Sequence, residues 1–122
     1  MNRKKILIVD DSETLRAILI FVLEEAGYDV LVGIDGIEAQ RHLNNQPLDL
    51  IITDLHMPKL DGIGFIKVVR SHPKYSNTPI LFLTTDTQQD KKTEAKDAGA
   101  TGWIIKPFDE DKLIAAVSRV IK

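Results

Sequence analysis

The 122-residue sequence has no cysteine, which excludes disulfides and thiolate metal sites and is compatible with a reducing compartment. It also lacks any strong excess of charge. Sixteen Lys and Arg against eighteen Asp and Glu leave a net −2, which argues against a general nucleic-acid or membrane-surface binder. Long hydrophobic runs are missing too. The apolar run after the basic residues 1–5 is four residues long and stops at Asp10 and Asp11. That pattern is neither a signal peptide nor a membrane span, so a cytoplasmic location is expected. No glycine-rich phosphate loop follows this run, which disfavours a flavin or dinucleotide carrier. There is no internal repeat, low-complexity tract or linker, and nothing is left over for a second domain. One domain over residues 1–122 is expected, long enough to bury about two-thirds of its unfolded surface.

What is present is an alternation of short apolar runs and amphipathic stretches. Residues 5–9, 50–53 and 79–83 read as strands buried on both faces, and 28–33 and 102–105 as two more. Ser12 is a good N-cap for a helix whose Leu15, Ile18, Leu19, Val22 and Ala26 share one face, closed by Gly27. Residues 36–43 suggest a short helix with a thin stripe of Ile37, Ala39 and Leu43. A helix near 63–71 aligns Ile63, Ile66 and Val69. Residues 87–98 predict a helix that is almost entirely polar, anchored only by Ala95 and Ala98. Asp109 caps a last helix with Leu113, Ala116, Val117 and Val120 facing inward. Five strands alternating with five helices make an α/β fold, a parallel sheet covered on both faces.

Four strands end in residues that carry chemistry: Asp10 with Asp11, Asp54, Thr84 and Lys106. Each alone has an ordinary reading, as solvated carboxylates before a helix, a turn hydroxyl or a snorkelling lysine. Strand carboxyl ends share one edge of a parallel sheet, however, so the four should converge. Carboxylates about 5 Å apart repel by roughly 3 kcal/mol per pair at an effective dielectric near 20. Three of them against one lysine call for a proton or a cation. Oxygen ligands completed by water suit Mg²⁺ better than Ca²⁺. A Mg²⁺ beside a carboxylate, with a lysine and a hydroxyl at hand, is a site for a phosphoryl group. Attack by Asp54 would give an aspartyl phosphate.

These residues resemble a known family. The segments VDDS at 9–12, DLHMPKLDG at 54–62, LTT at 83–85 and KPF at 106–108 stand in the order and spacing of bacterial response regulator receiver domains. The chain is most similar to the single-domain CheY type over essentially its whole length. The resemblance implies a doubly wound, flavodoxin-like sheet of strand order 2-1-3-4-5. It implies that Asp54 is the phosphoacceptor, with Asp11 and Asp54 as carboxylate ligands of Mg²⁺. Asp10 would reach the metal mainly through water, and His56 through its backbone carbonyl. Thr84 would be the hydroxyl that closes onto the phosphoryl group, Thr85 a backbone donor beside it, and Lys106 the cation that contacts it. The bond before Pro107 is usually cis in the family.

Trp103 stands where the family usually has a mobile tyrosine, phenylalanine or histidine. It is either a fixed core tryptophan or a switch that moves inward with Thr84, the larger ring being costlier to rehouse. His56 and Asp86 fall where the family tunes the lifetime of the aspartyl phosphate, in a direction the residues leave open. A Zn²⁺ role for His56 is disfavoured because no second histidine is near, and His42 and His72 read as solvated.

The implied function is a phosphorylation-activated signalling switch of a two-component system. It would be no enzyme with an external substrate, though it assists its own phosphorylation and dephosphorylation. A histidine kinase or phosphotransfer protein would be the donor, docking with help from Ile20 and Phe21. Residues 87–98 with Trp103 and Lys112 would form a locally basic face, through Lys91, Lys92 and Lys96, for a protein target such as an acidic segment. A monomer that binds neither nucleic acid nor membrane is expected. The length and the TGWIIKPF ending at 101–108 favour chemotaxis or motility control, with a phosphorelay intermediate or phosphate sink as the alternative. A Mg²⁺-dependent phosphatase is the rival from another class, but such enzymes typically carry an acidic residue two positions after the nucleophile, where this chain has His56.

Overall fold

The computed structural model describes residues 3–57, 59–85 and 89–121. The apolar runs become five strands, β1 (Lys5–Val9), β2 (Asp29–Gly33), β3 (Leu50–Asp54), β4 (Ile80–Thr84) and β5 (Gly102–Ile105). All neighbours pair in parallel in the order β2-β1-β3-β4-β5. Side chains alternate across a strand, so each strand feeds two cores. Leu7, Val9, Ile51 and Phe82 meet Phe65, Ile66 and Val69 of helix α2 (Gly62–Ser71) and Ala95 of α3 (Gln89–Ala98). Ile6, Ile8, Leu50, Ile52, Leu81 and Leu83 meet α1 (Glu13–Glu25) and α4 (Glu110–Val120). The doubly wound sheet therefore has the expected order, and every residue of β3 and β4 is buried.

Helix α1 turns a different face inward from the expected one. Leu19, Val22 and Leu23 are buried, whereas Ile18 and Ala26 are exposed. Ile18 lies roughly a quarter turn from the centre of that stripe at about 100° per residue, and Ala26 is already the C-cap. Ile20, expected outside the stripe, packs partly against the core, while Phe21 is exposed. Of the expected helix over residues 87–98, Gln89–Ala98 is helical, and residues 87 and 88 lie outside the described ones.

The helix expected over residues 36–43 is a 3₁₀ segment, Glu38–His42, so the described residues contain four α-helices rather than five. Only Ala39 of that segment is buried, too little apolar surface to hold an α-helix on the sheet. Local polar bonds take over instead. Asp35 Oδ1 accepts the N–H groups of Ile37 (2.9 Å) and Glu38 (2.8 Å). The segment also closes the edge of the sheet. The bonds Asp29 N–H to Lys4 O and Asp10 N–H to Gly33 O turn the odd residues of β2 toward β1 and leave the even ones facing outward. Glu38 Oε1 accepts the outward Ile34 N–H at 3.0 Å, and His42 Nε2 lies 2.9 Å from the outward Val32 carbonyl. Such bonds blunt an edge that would otherwise invite a second chain. His42 is thus half-buried rather than solvated, as is His72, whose Nδ1 accepts the Lys74 N–H and whose ring lies 4.8 Å from that of Tyr75.

On the same face of the sheet, Arg70 at the end of α2 ties three segments together. Its guanidinium donates to the carbonyls of Gly99 (3.0 and 2.7 Å), Tyr75 (2.9 Å) and Thr78 (2.6 Å). Gly99 adopts φ +119°, and a Cβ there would also meet the Arg70 side chain. Replacing Arg70 with Ala strands the partly buried carbonyls of Gly99 and Thr78 and leaves that of Tyr75 only the Thr78 N–H at 3.3 Å, so urea denaturation should show a loss of about 2–4 kcal/mol. The Asp35 carboxyl is held below its ordinary value, first by the Glu38 N–H and then by Ile37 N–H and Lys59. A depressed carboxylate contributes stability above its unfolded pKa and loses it as the pH falls through the folded one. Asp35→Ala should therefore lower the thermal midpoint at pH ~7, with the gap to the parent closing below pH ~4.

Candidate functional site

The four strand ends converge as their positions require. Asp10 follows β1, Asp54 and Thr84 close β3 and β4, and Lys106 follows β5, held to β4 by its N–H on the Thr84 carbonyl at 2.8 Å. Asp10, Asp54 and Thr84 are buried, and Lys106 is largely so. The Lys106 ammonium donates to Asp54 Oδ2 at 3.0 Å, across 52 residues of sequence. The other Asp54 oxygen accepts the Leu55 N–H at 2.8 Å, with the His56 N–H at 3.4 Å. The peptide bond between Lys106 and Pro107 is cis, as the resemblance implies.

Asp10 is held by its own loop. Its Oδ1 accepts the Ser12 N–H at 2.8 Å, and Arg16 of α1 donates to its carbonyl at 2.7 Å. Its Oδ2 is buried without a hydrogen-bond partner among the described residues, with the Lys106 ammonium 4.0 Å away. Burial pushes the Asp10 carboxyl up, and so do the charges of Asp54 and Asp11; the Ser12 N–H and Lys106 act against that rise. Asp10, Asp11 and Asp54 each bring a carboxylate oxygen within 4.8 Å of the others. An acidic cluster with one orphaned, buried carboxylate oxygen and only oxygen donors fits a hard divalent cation.

The remaining expected residues divide. Thr85 is exposed and lines an apolar hollow of about 400 Å³ with Leu15, Ile18, Lys106 and Phe108. The His56 side chain is exposed, bordering a cleft of about 320 Å³ with Asp11, Met57, Asp61 and Lys91 rather than joining the carboxylates. Trp103 is 44% exposed, so it is not a fixed core tryptophan. Asp86 lies outside the described residues. Three supporting residues escape sequence reasoning. Arg16 reaches the Asp10 carbonyl from the next turn of chain, Asp61 caps α2 through the Gly64 N–H (2.7 Å), and Gly62 packs on the Asp54 carbonyl, where a Cβ would collide. The Asp-Gly pair at 61–62 is a visible turn signal, but nothing in the sequence ties Arg16 to Asp10.

A parallel α/β sheet of this order, with an acidic cluster and one lysine at its carboxyl edge, defines a class, and the comparisons with known proteins agree with it. The sequence profile of the response regulator receiver domain matches residues 6–118, and the chain belongs to that family. It is a receiver domain of two-component signalling. The structure of the chemotaxis protein CheY4 of Vibrio cholerae superposes with a TM-score of 0.94 at 43% identity, covering 98% of this chain and 99% of that one. The chemotaxis protein CheY of Pseudomonas aeruginosa is 32% identical over 119 residues, 97% of this chain and 96% of that protein. The receiver domain of the sensor histidine kinase PA1611 from Pseudomonas aeruginosa PAO1, with a magnesium ion coordinated in its active-site cleft, is 29% identical with a TM-score of 0.90, covering 98% of both chains. Other curated relatives are longer, and the chain spans between 17% and 50% of their length.

The charge imbalance predicts opposite effects for two neutralising changes. Asp10→Asn removes a buried charge beside two like ones and should raise metal-free stability by about 1–3 kcal/mol in urea denaturation. Lys106→Met takes away the ion-pair partner of Asp54 and should lower it; a fall for both variants would contradict the net repulsion.

Proposed function

We propose that the protein is a phosphorylation-activated switch that accepts a phosphoryl group on Asp54 from a histidine kinase or phosphotransfer protein. The observation that carries this reading is the 3.0 Å pairing of Lys106 with Asp54 inside a cluster of three carboxylates. Asp54 is buried and fixed on one oxygen by the Leu55 N–H, so its carboxylate meets an incoming phosphorus in a set orientation. A bond forms from Asp54 to phosphorus while the bond from phosphorus to the donor breaks and the donor leaves with that electron pair. Lys106, already beside Asp54, turns its ammonium to the transferred oxygens. Asp11 and Asp54 would hold Mg²⁺ directly, Asp10 through water and His56 through its carbonyl. Mg²⁺ bound there supplies neutralisation of the charge on those oxygens. The magnesium in the PA1611 receiver domain and the orphaned Asp10 oxygen support that assignment.

In this reading the Thr84 hydroxyl and the Thr85 N–H complete the phosphoryl contacts, and Trp103 follows Thr84 as the switch. The side chains of His56 and Asp86 set the lifetime of the acyl phosphate. The output face is α3 with Trp103 and Lys112, basic through Lys91, Lys92 and Lys96, and a target with an acidic segment fits it. Phe21, with Ile20, contributes to the donor's docking surface. Among the described residues no helix is long and apolar enough to cross a membrane. In this reading residues 1–122 form one receiver domain that acts as a cytoplasmic monomer, and the net charge of −2 supports a module that binds neither nucleic acid nor membrane. Control of chemotaxis or motility is the role best supported, because relatives that this chain covers almost end to end are chemotaxis proteins. A relay or phosphate-sink role is favoured instead if the phosphoryl group passes rapidly to a second phosphotransfer protein without output binding. The phosphatase reading gains nothing at the position after next, which is His56 rather than a carboxylate.

Acetyl phosphate with Mg²⁺ tests the acceptor. Intact-mass spectrometry should find one phosphoryl group on the parent and none on Asp54→Asn, and labelling of Lys106→Met should slow on the order of 10²-fold. Undiminished labelling of Asp54→Asn would move the site elsewhere.

A further inference from the structure

Trp103 has a cation over its ring. The Lys92 ammonium of α3 lies 4.7 Å from the indole centroid, while Phe82 of β4 approaches the same ring at 6.1 Å with a 33° tilt. Helix α3 has little else to fix it. Ala95 is the one fully buried side chain among its described residues, Ala98 packs partly against the same core, and the other residues of the helix are polar. Lys92 is therefore a specific link between α3 and β5. Both elements adjoin Thr84, since α3 begins five residues after it and Thr84 pairs in register with Ile105. Any inward movement of the indole must break the contact with Lys92. The hollow beside Trp103 is bordered by two further cations, Lys112 and Arg119, but among the described residues only Lys92 lies over the ring.

We propose that Lys92 is a positioning residue that latches Trp103 outward in the unphosphorylated protein through its ammonium–indole contact, and so sets how readily the switch is thrown. The inference rests on the reading that Trp103 moves when Asp54 is phosphorylated. Lysine at position 92 favours the outward ring, and phosphorylation must overcome that preference. Loss of an exposed cation–π contact shifts such an equilibrium about two- to five-fold toward the inward ring.

Trp103 is the sole tryptophan, so its fluorescence reports the ring directly. The experiment titrates beryllofluoride, with Mg²⁺ present, into the parent, Lys92→Met, Lys92→Arg and Lys96→Met, and measures acrylamide quenching of each resting protein. Lys92→Met should reach half-change at about two- to five-fold less beryllofluoride, and its resting indole should be less accessible to acrylamide. Lys92→Arg keeps a cation for the ring and should follow the parent. Lys96→Met removes the same charge from the same helix without touching the indole, and should follow the parent too. Superposable titrations for Lys92→Met and the parent would overturn the latch alone, as would an equal shift in Lys96→Met, which would assign the effect to helix charge. A parent whose fluorescence ignores beryllofluoride, while Asp54 still accepts phosphoryl groups, would overturn the switch reading and the latch with it.

Discussion

At the carboxyl edge of the sheet three carboxylates cluster beside one ammonium, and Lys106 bonds Asp54 at 3.0 Å but stands 4.0 Å from an Asp10 oxygen that has no hydrogen-bond partner among the described residues. Such an arrangement is costly in a low-dielectric setting and survives because the elements around it are firmly held. Three of the strands that end there, β1, β3 and β4, are apolar along their bodies and buried on both faces, whereas β5 is an edge strand with Trp103 and Ile105 exposed. In all four the residues of the cluster fall at the ends. A cation at this edge relieves repulsion that the fold already contains. Affinity for the ion and strain in the ion-free protein are then two views of one term.

That geometry is maintained from outside the cluster. Arg16 reaches back from α1 to the Asp10 carbonyl, Ser12 serves both the carboxylate and the helix cap, and Gly62 lets the start of α2 rest on the end of β3. The pinning is asymmetric. Helix α2 is tied down by Phe65, Ile66, Val69 and Arg70, whereas α3 brings a single buried alanine. Elements that must respond to chemistry are expected among the weakly held ones, and α3 together with Trp103 has that character.

Much of this was legible from residues alone, for a physical reason. A strand buried on both faces announces itself as an apolar run, and the residue that breaks the run is the one at the sheet edge, which is why Asp10, Asp54, Thr84 and Lys106 could be placed together. What escaped was decided by partners far apart in sequence. The segment Glu38–His42 carries an amphipathic hint, yet its Glu38 and His42 are used by the edge of β2, and Asp35 offers a competing set of bonds. Helix α1 buries Leu23 rather than Ile18, a choice between neighbouring stripes that periodicity alone does not determine. The contact of Trp103 with Lys92, eleven positions earlier on another element, is likewise beyond the reach of periodicity.

The thin anchoring of α3 has a consequence for how such a protein changes over generations. Most of its side chains carry no packing duty, so substitutions there alter charge and shape at little cost to folding. The carboxylate edge has no such freedom, because its residues constrain one another. The chain thus separates an edge whose residues resist alteration from a helix that tolerates it, so the surface of α3 can change while the carboxylate cluster stays as it is.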